Sequence, residues 1–146
     1  MFKTVLFPID QSREAREAAD IVANIVQKYN SRLILLSVIE EPTAEASTTS
    51  PMVSSEIVAQ LLENARTLFS EQGITAELLE RQGKPAFTIC DVADEIEASL
   101  IIMGCRGLGL TEEGSTDGLG LTEEGSTDSV TTRVINLSPC PVLIVP

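Results

Sequence analysis

Apolar residues in this chain follow two rhythms. KTVLFPI (residues 3–9) and RLILLSVI (32–39) are short, nearly unbroken runs rich in branched side chains, the pattern of strands buried on both faces of a parallel sheet. Each run gives way to a rhythm of three and four residues. Ala15, Ala18, Ala19, Val22, Ile25, Val26 and Tyr29 form one helical stripe, with Ser12 placed to cap it. Val58, Leu61, Leu62, Ala65, Leu68 and Phe69 form a second, opened by Ser54 or Ser55 and closed by Gly73. ITAELLE (74–80) alternates, as a more exposed strand at a sheet edge would. PAFTICDVADEIEA (85–98) predicts a third helix with Pro85 in its first turn, and LIIMG (100–104) another buried strand. SVTTRVINL (129–137) predicts a short helix and PVLIV (141–145) a last strand.

Strands and helices therefore alternate from end to end, which predicts an α/β protein with a doubly wound parallel sheet of five strands, joined by right-handed crossovers. Its 146 residues suit a single domain. Hydrophobic residues make up 43% of the chain and aromatic ones only 3%, so the core has to be built from Val, Ile, Leu and Ala. EEPTAEASTTSPM (40–52) interrupts the pattern with Ser, Thr and Pro and predicts a mobile surface loop.

Composition then narrows the chemistry. Ten basic against twenty-two acidic residues leave a formal charge of -12, which repels a phosphate backbone and argues against nucleic acid or an anionic membrane as partner. MFKTVLFPID is broken too early by Pro8 and Asp10 to read as a signal peptide, and no apolar run approaches a membrane span, so a cytoplasmic location is expected. Histidine is absent, which removes Ser-His and Cys-His nucleophiles and His-ligated metals. Cys90, Cys105 and Cys140 lack CxxC spacing and read as buried, reduced thiols. No spacing specifies a metal site.

In an open parallel sheet, ligands bind beyond the carboxyl ends of the strands, where the strand order reverses. Asp10 follows the first strand, where a carboxylate can accept a ribose hydroxyl or cap the next helix. Val38 and Met103 can flank a flat base or pack in the core. Gly104 and Gly107 form a Gly-x-x-Gly directly after a buried strand, which either lets backbone amides approach an anion or makes a tight turn.

At this point the chain resembles the universal stress protein family along almost its whole length. PID (8–10), MGCRG (103–107), SVTTRV (129–134) and SPCPVLIVP (138–146) carry the resemblance. It implies a Rossmann-like sheet in the order 3-2-1-4-5 with helices on both faces, a homodimer through the last strand, Val142 to Val145, and, in the nucleotide-binding branch, bound ATP. Carried over by position, the base and ribose contacts fall on Pro8, Asp10, Val38 and Met103. The phosphate contacts fall on Gly104, Gly107, Ser129, Val130 and Thr131.

The chain departs from the family pattern in two ways. GLGLTEEGSTD is written twice, at 107–117 and 118–128, so twenty residues separate Gly107 from Asp128, and removing one eleven-residue copy leaves the nine of the family. Where the family has glycine before Ser129, this chain has Asp128. Six acids, Glu112, Glu113, Asp117, Glu123, Glu124 and Asp128, crowd the segment, and only Arg106 and Arg133 oppose them nearby in sequence. Two like charges about 4 Å apart repel by roughly 4 kcal/mol at an effective dielectric near 20. Doubling a flexible loop costs only about 0.6 kcal/mol in closure entropy, so the second copy reads as tolerated length. Two functions follow: a dimeric stress-response protein that senses ATP or AMP, with Mg accompanying ATP and without turnover of its own, or a dimeric interaction module of the same fold that binds no nucleotide and meets a protein partner.

Overall fold

A strand inside a parallel sheet needs apolar side chains on both faces, and Val5, Leu6 and Phe7 meet that demand with at most 1% of each exposed. They belong to β1 (Thr4–Pro8), followed by α1 (Arg13–Tyr29), β2 (Arg32–Ile39), α2 (Ser55–Ser70), β3 (Ala76–Gln82), α3 (Pro85–Glu95), β4 (Leu100–Gly104), α4 (Val130–Leu137) and β5 (Val142–Val145). The structure, a computed structural model, describes residues 1–9, 13–39, 55–104 and 130–146. All five strands pair in parallel in the order β3-β2-β1-β4-β5, as expected. The doubled segment, the 40–52 stretch, Ser12, Ser54 and Cys105 lie outside the described residues.

Alternation along the strands divides the core into two layers. Val5, Phe7, Leu33, Leu35, Leu100 and Ile102 face one way and meet Val22 and Val26 of α1 and Val58, Leu62 and Phe69 of α2. Leu6, Ile34, Leu36, Ile101 and Met103 face the other way and meet Ile89 and Ala93 of α3 and Val134 of α4. Phe7 and Phe69 lock the first layer edge to face, with ring centroids 6.2 Å apart.

The first three helices end alike. Asn30, Gly73 and Glu97 take left-handed φ values of 53°, 81° and 55°, and the next amide reaches back five residues: Ser31 to the Val26 carbonyl, Ile74 to Phe69 and Ala98 to Ala93. Gly73 and, more weakly, Asn30 are residue types that favour such an ending, whereas Glu97 is not. This closure stops α3 at Glu95, three residues before its apolar pattern runs out.

Four expectations need correction. Ser55 is the first residue of α2, so it does not cap that helix. Leu68, at the margin of its stripe, is 48% exposed. The third strand runs from Ala76 to Gln82, two residues later than its alternation predicts, because it pairs with β2 from Leu33↔Ala76 through Ile39↔Gln82. Cys90 is buried, but Cys140 is only half-buried, in the turn between α4 and β5.

The two sheet edges differ. β3 carries Glu77, Glu80 and Arg81, and Glu77 takes both hydrogen bonds of a bidentate pair with Arg32 at 2.6 and 2.8 Å. That pair holds the Glu77 carboxyl below its ordinary range. Both side chains are about half exposed, 52% and 50%, so the bridge contributes little beside the core. Phe69→Ala is expected to lower the unfolding free energy by about 3–5 kcal/mol, while Glu77→Gln leaves the urea midpoint nearly unchanged. The opposite ranking in a urea titration would contradict this division of stability.

Candidate functional site

The carboxyl ends of β2, β1 and β4 lie side by side in the sheet, and the last residue of β4 meets the first turn of α4. Leu6, Leu36 and Ile101 point into the second core layer, so Pro8, Val38 and Met103, each two residues further along its strand, point the same way. Met103 is fully buried there, and half-buried Val38 and Val130 pack against the same cluster. Pro8 is also buried. Of the residues assigned from the sequence, Pro8, Val38, Met103, Gly104, Val130 and Thr131 converge here. Asp10, Gly107 and Ser129 lie outside the described residues. The Met103 side chain is a core side chain, with none of its surface exposed.

The backbone at Pro8 has a particular consequence. The Ile9 amide donates to the Leu36 carbonyl of β2 at 2.8 Å, and the Thr4 carbonyl accepts from the Ser99 amide, just before β4, at 2.8 Å. Odd-numbered residues of β1 therefore turn their backbone groups to β2 and even-numbered ones to β4. Pro8 is even-numbered, and proline has no N–H. The β1–β4 pairing ends at Leu6↔Ile101, while β1–β2 runs on to Pro8↔Leu36 and β4–β5 to Gly104↔Val145. The ladder is shortest at the one boundary where the strand order reverses.

Thr131 fastens α4 to this end of the sheet. Its hydroxyl, on a residue only 9% exposed, donates to the Gly104 carbonyl at 3.2 Å. That bond commits the hydroxyl proton, so any attraction of this turn for an anion rests on the helix N-terminus and not on the Thr131 side chain. Gly83 and Lys84 also reach this end, and sequence reading passed over them. The Gly83 amide donates to the Ile39 carbonyl at 2.9 Å with φ at 146°, and a Cβ there would lie 2.7 Å from Thr88 Oγ1. A glycine directly after a strand and before Lys-Pro was the available signal. Lys84 adds an exposed cation at the start of α3.

Among the described residues, the thiols of Cys90 and Cys140 are not activated. Burial pushes Cys90 up, with Asp91 and Cys140 adding to the effect, and burial likewise raises Cys140, which the Ser138 hydroxyl partly offsets. Both stay protonated near neutral pH. Among the described residues no cluster of three His, Cys, Asp or Glu could hold a metal ion, and no helix is long and apolar enough to cross a membrane.

A hollow of about 1100 Å³ opens at the opposite end of the sheet, walled by residues including Phe2, Lys3, Arg32, Glu97 and Ser99. The helices present their C-termini there, and the partial negative charge of those ends disfavours an anion. The carboxyl end, where the helix N-termini gather, is the better anion site. Thr131→Val, which keeps the shape but removes the hydroxyl, is expected to cost about 1 kcal/mol of stability, and Thr131→Ser to retain most of it. Equal denaturant midpoints for wild type and Thr131→Val would rule out the fastening role.

Comparison with known proteins agrees with this geometry. The model of the universal stress protein family matches residues 1–146. Universal stress protein Sll1654 of Synechocystis sp. is 56% identical over 147 aligned residues, which cover all of this chain and 87% of that protein. A universal stress protein crystallised in complex with cAMP is similar with a TM-score of 0.73 at 25% identity, over 99% of this chain and 96% of that one. A universal stress protein from Archaeoglobus fulgidus in complex with dAMP shares the fold with a TM-score of 0.67 at 20% identity, over 99% and 98% of the two chains. This chain belongs to the universal stress protein family.

Proposed function

We propose that this protein is a dimeric stress-response protein of the cytoplasm that binds an adenine nucleotide without turning it over. The observation that carries the reading is the convergence of Pro8, Val38, Gly104, Val130 and Thr131 at the reversal of strand order, beside the first turn of α4. Two similar structures hold cAMP and dAMP. The base and ribose would lie against Pro8, Asp10 and Val38, with the backbone of Met103 beneath, and the phosphate near Gly104, Gly107 and the amides of Ser129, Val130 and Thr131.

Charge decides which nucleotide suits the site. Asp128 adjoins Ser129, and the doubled segment brings six acids. Each further phosphate adds repulsion, so AMP is the preferred ligand in the absence of metal, and ATP depends on magnesium to offset its charge. The same acids favour the second reading, an interaction module without nucleotide. Calorimetry with AMP and ATP, with and without magnesium, separates the two. AMP should bind the wild type. Deleting 118–128 together with Asp117→Gly should improve metal-free ATP binding about tenfold or more, roughly 1.4 kcal/mol, while the deletion alone improves it little. Heat-silent titrations with every nucleotide would leave the interaction module as the function.

The partner is a second copy of the chain. β5 is an edge strand of Val142, Leu143, Ile144 and Val145 without a charge, whereas the β3 edge is guarded by Glu77, Glu80 and Arg81. An uncharged apolar edge is the one that another chain can cover. Light scattering at micromolar concentration should give twice the monomer mass, and Val142→Lys with Ile144→Lys should shift it to monomer. A monomeric wild type would contradict this assembly.

A further inference from the structure

We propose that Pro8 serves the nucleotide site through the hydrogen-bond donor it lacks, by ending the β1–β4 ladder and keeping the crevice between the two strand ends open. The inference rests on the nucleotide reading and adds a positioning role to a residue otherwise regarded as a contact. Proline is normally excluded from interior strands because it breaks a ladder, yet Pro8 sits in β1, the middle strand of five. The alternation already described aims its nitrogen at β4, where an N–H would meet the Ile102 carbonyl. The next two pairs in register, Phe7 with Ile102 and Pro8 with Met103, both need that one bond. Neither forms.

The other side of Pro8 needs no donor from its nitrogen. Pairing with β2 uses the groups of Phe7 and Ile9, and it continues through Pro8↔Leu36. The missing donor is thus felt only at the boundary where the strand order reverses. A residue with an N–H would extend the ladder by two pairs and hold β1 and β4 at the regular spacing of about 4.8 Å as far as Met103. Gly104, whose carbonyl takes the Thr131 hydroxyl, would be drawn in with it, and the crevice would narrow at its floor.

The test separates the missing donor from the ring. Pro8→Ala introduces the N–H; lactic acid in place of Pro8, introduced by nonsense suppression, has the alanine side chain but an ester oxygen that cannot donate. Hydrogen exchange on the unliganded Pro8→Ala protein should show a protected amide at position 8. Affinity for AMP, measured by calorimetry, should fall about tenfold in Pro8→Ala and return to within about twofold of wild type with lactic acid. A freely exchanging amide at position 8, or equal losses in both variants, would overturn the proposal and leave ring contact as the role of Pro8. A wild type that takes up no AMP sinks the nucleotide reading and the functional part of this one together. A wild type and a Pro8→Ala protein of equal AMP affinity sink only the role of Pro8.

Discussion

Five parallel strands joined by crossovers of one hand leave this chain a single place to turn back, between β1 and β4. The helices α1 and α2 carry the chain outward over one face of the sheet to β3. The helix α3 brings it back over the other face, and α4 continues outward to β5. Connections therefore leave β1 and β4 in opposite directions, and the carboxyl ends of these two strands stay uncovered by a crossover of their own. The position of the candidate site, the first turn of α4 beside Gly104, and the role proposed for Pro8 all follow from that reversal.

A proline in the central strand is tolerable because the energies are unequal. One ladder hydrogen bond is worth about 1 kcal/mol net. Fully burying a side chain such as Leu6 or Phe7 is worth about 1.5–3 kcal/mol each, and β1 buries both, with Val5, between two helical layers. The sheet can give up pairing at one end of β1 without losing the strand. Most of the stability therefore resides away from the candidate site, in contacts such as Phe7 on Phe69 and Ile89 of α3 on the sheet.

The parallel arrangement also polarises the molecule. Helix N-termini gather at the carboxyl end of the sheet and C-termini at the other, where Asn30, Gly73 and Glu97 close three helices in left-handed geometry and Lys28 occupies the last turn of α1. The end that carries the candidate site therefore favours an anion locally, against the net charge of -12 on the whole chain.

Much of the fold was legible in the pattern of side chains. The unbroken apolar runs of β1, β2 and β4 marked interior strands, and the alternation of β3 marked an edge, because a residue's neighbours on both faces are implied by its own strand. The family motifs pointed to the residues that gather at the carboxyl ends. Other features depended on contacts between distant parts of the chain. Glu97 and Asn30 end helices without glycine, and the strands that follow are anchored by Ser99 on Thr4 and Ser31 on Phe2. The Thr131 hydroxyl is committed to Gly104, twenty-seven residues away, which its local sequence could not reveal. Pro8 was visible as a proline from the start, but which neighbour its missing N–H would have served was decided only when β1 came to lie with β2 on its odd-numbered side and β4 on its even-numbered side. Strand order, not strand identity, turns that absent donor towards the site.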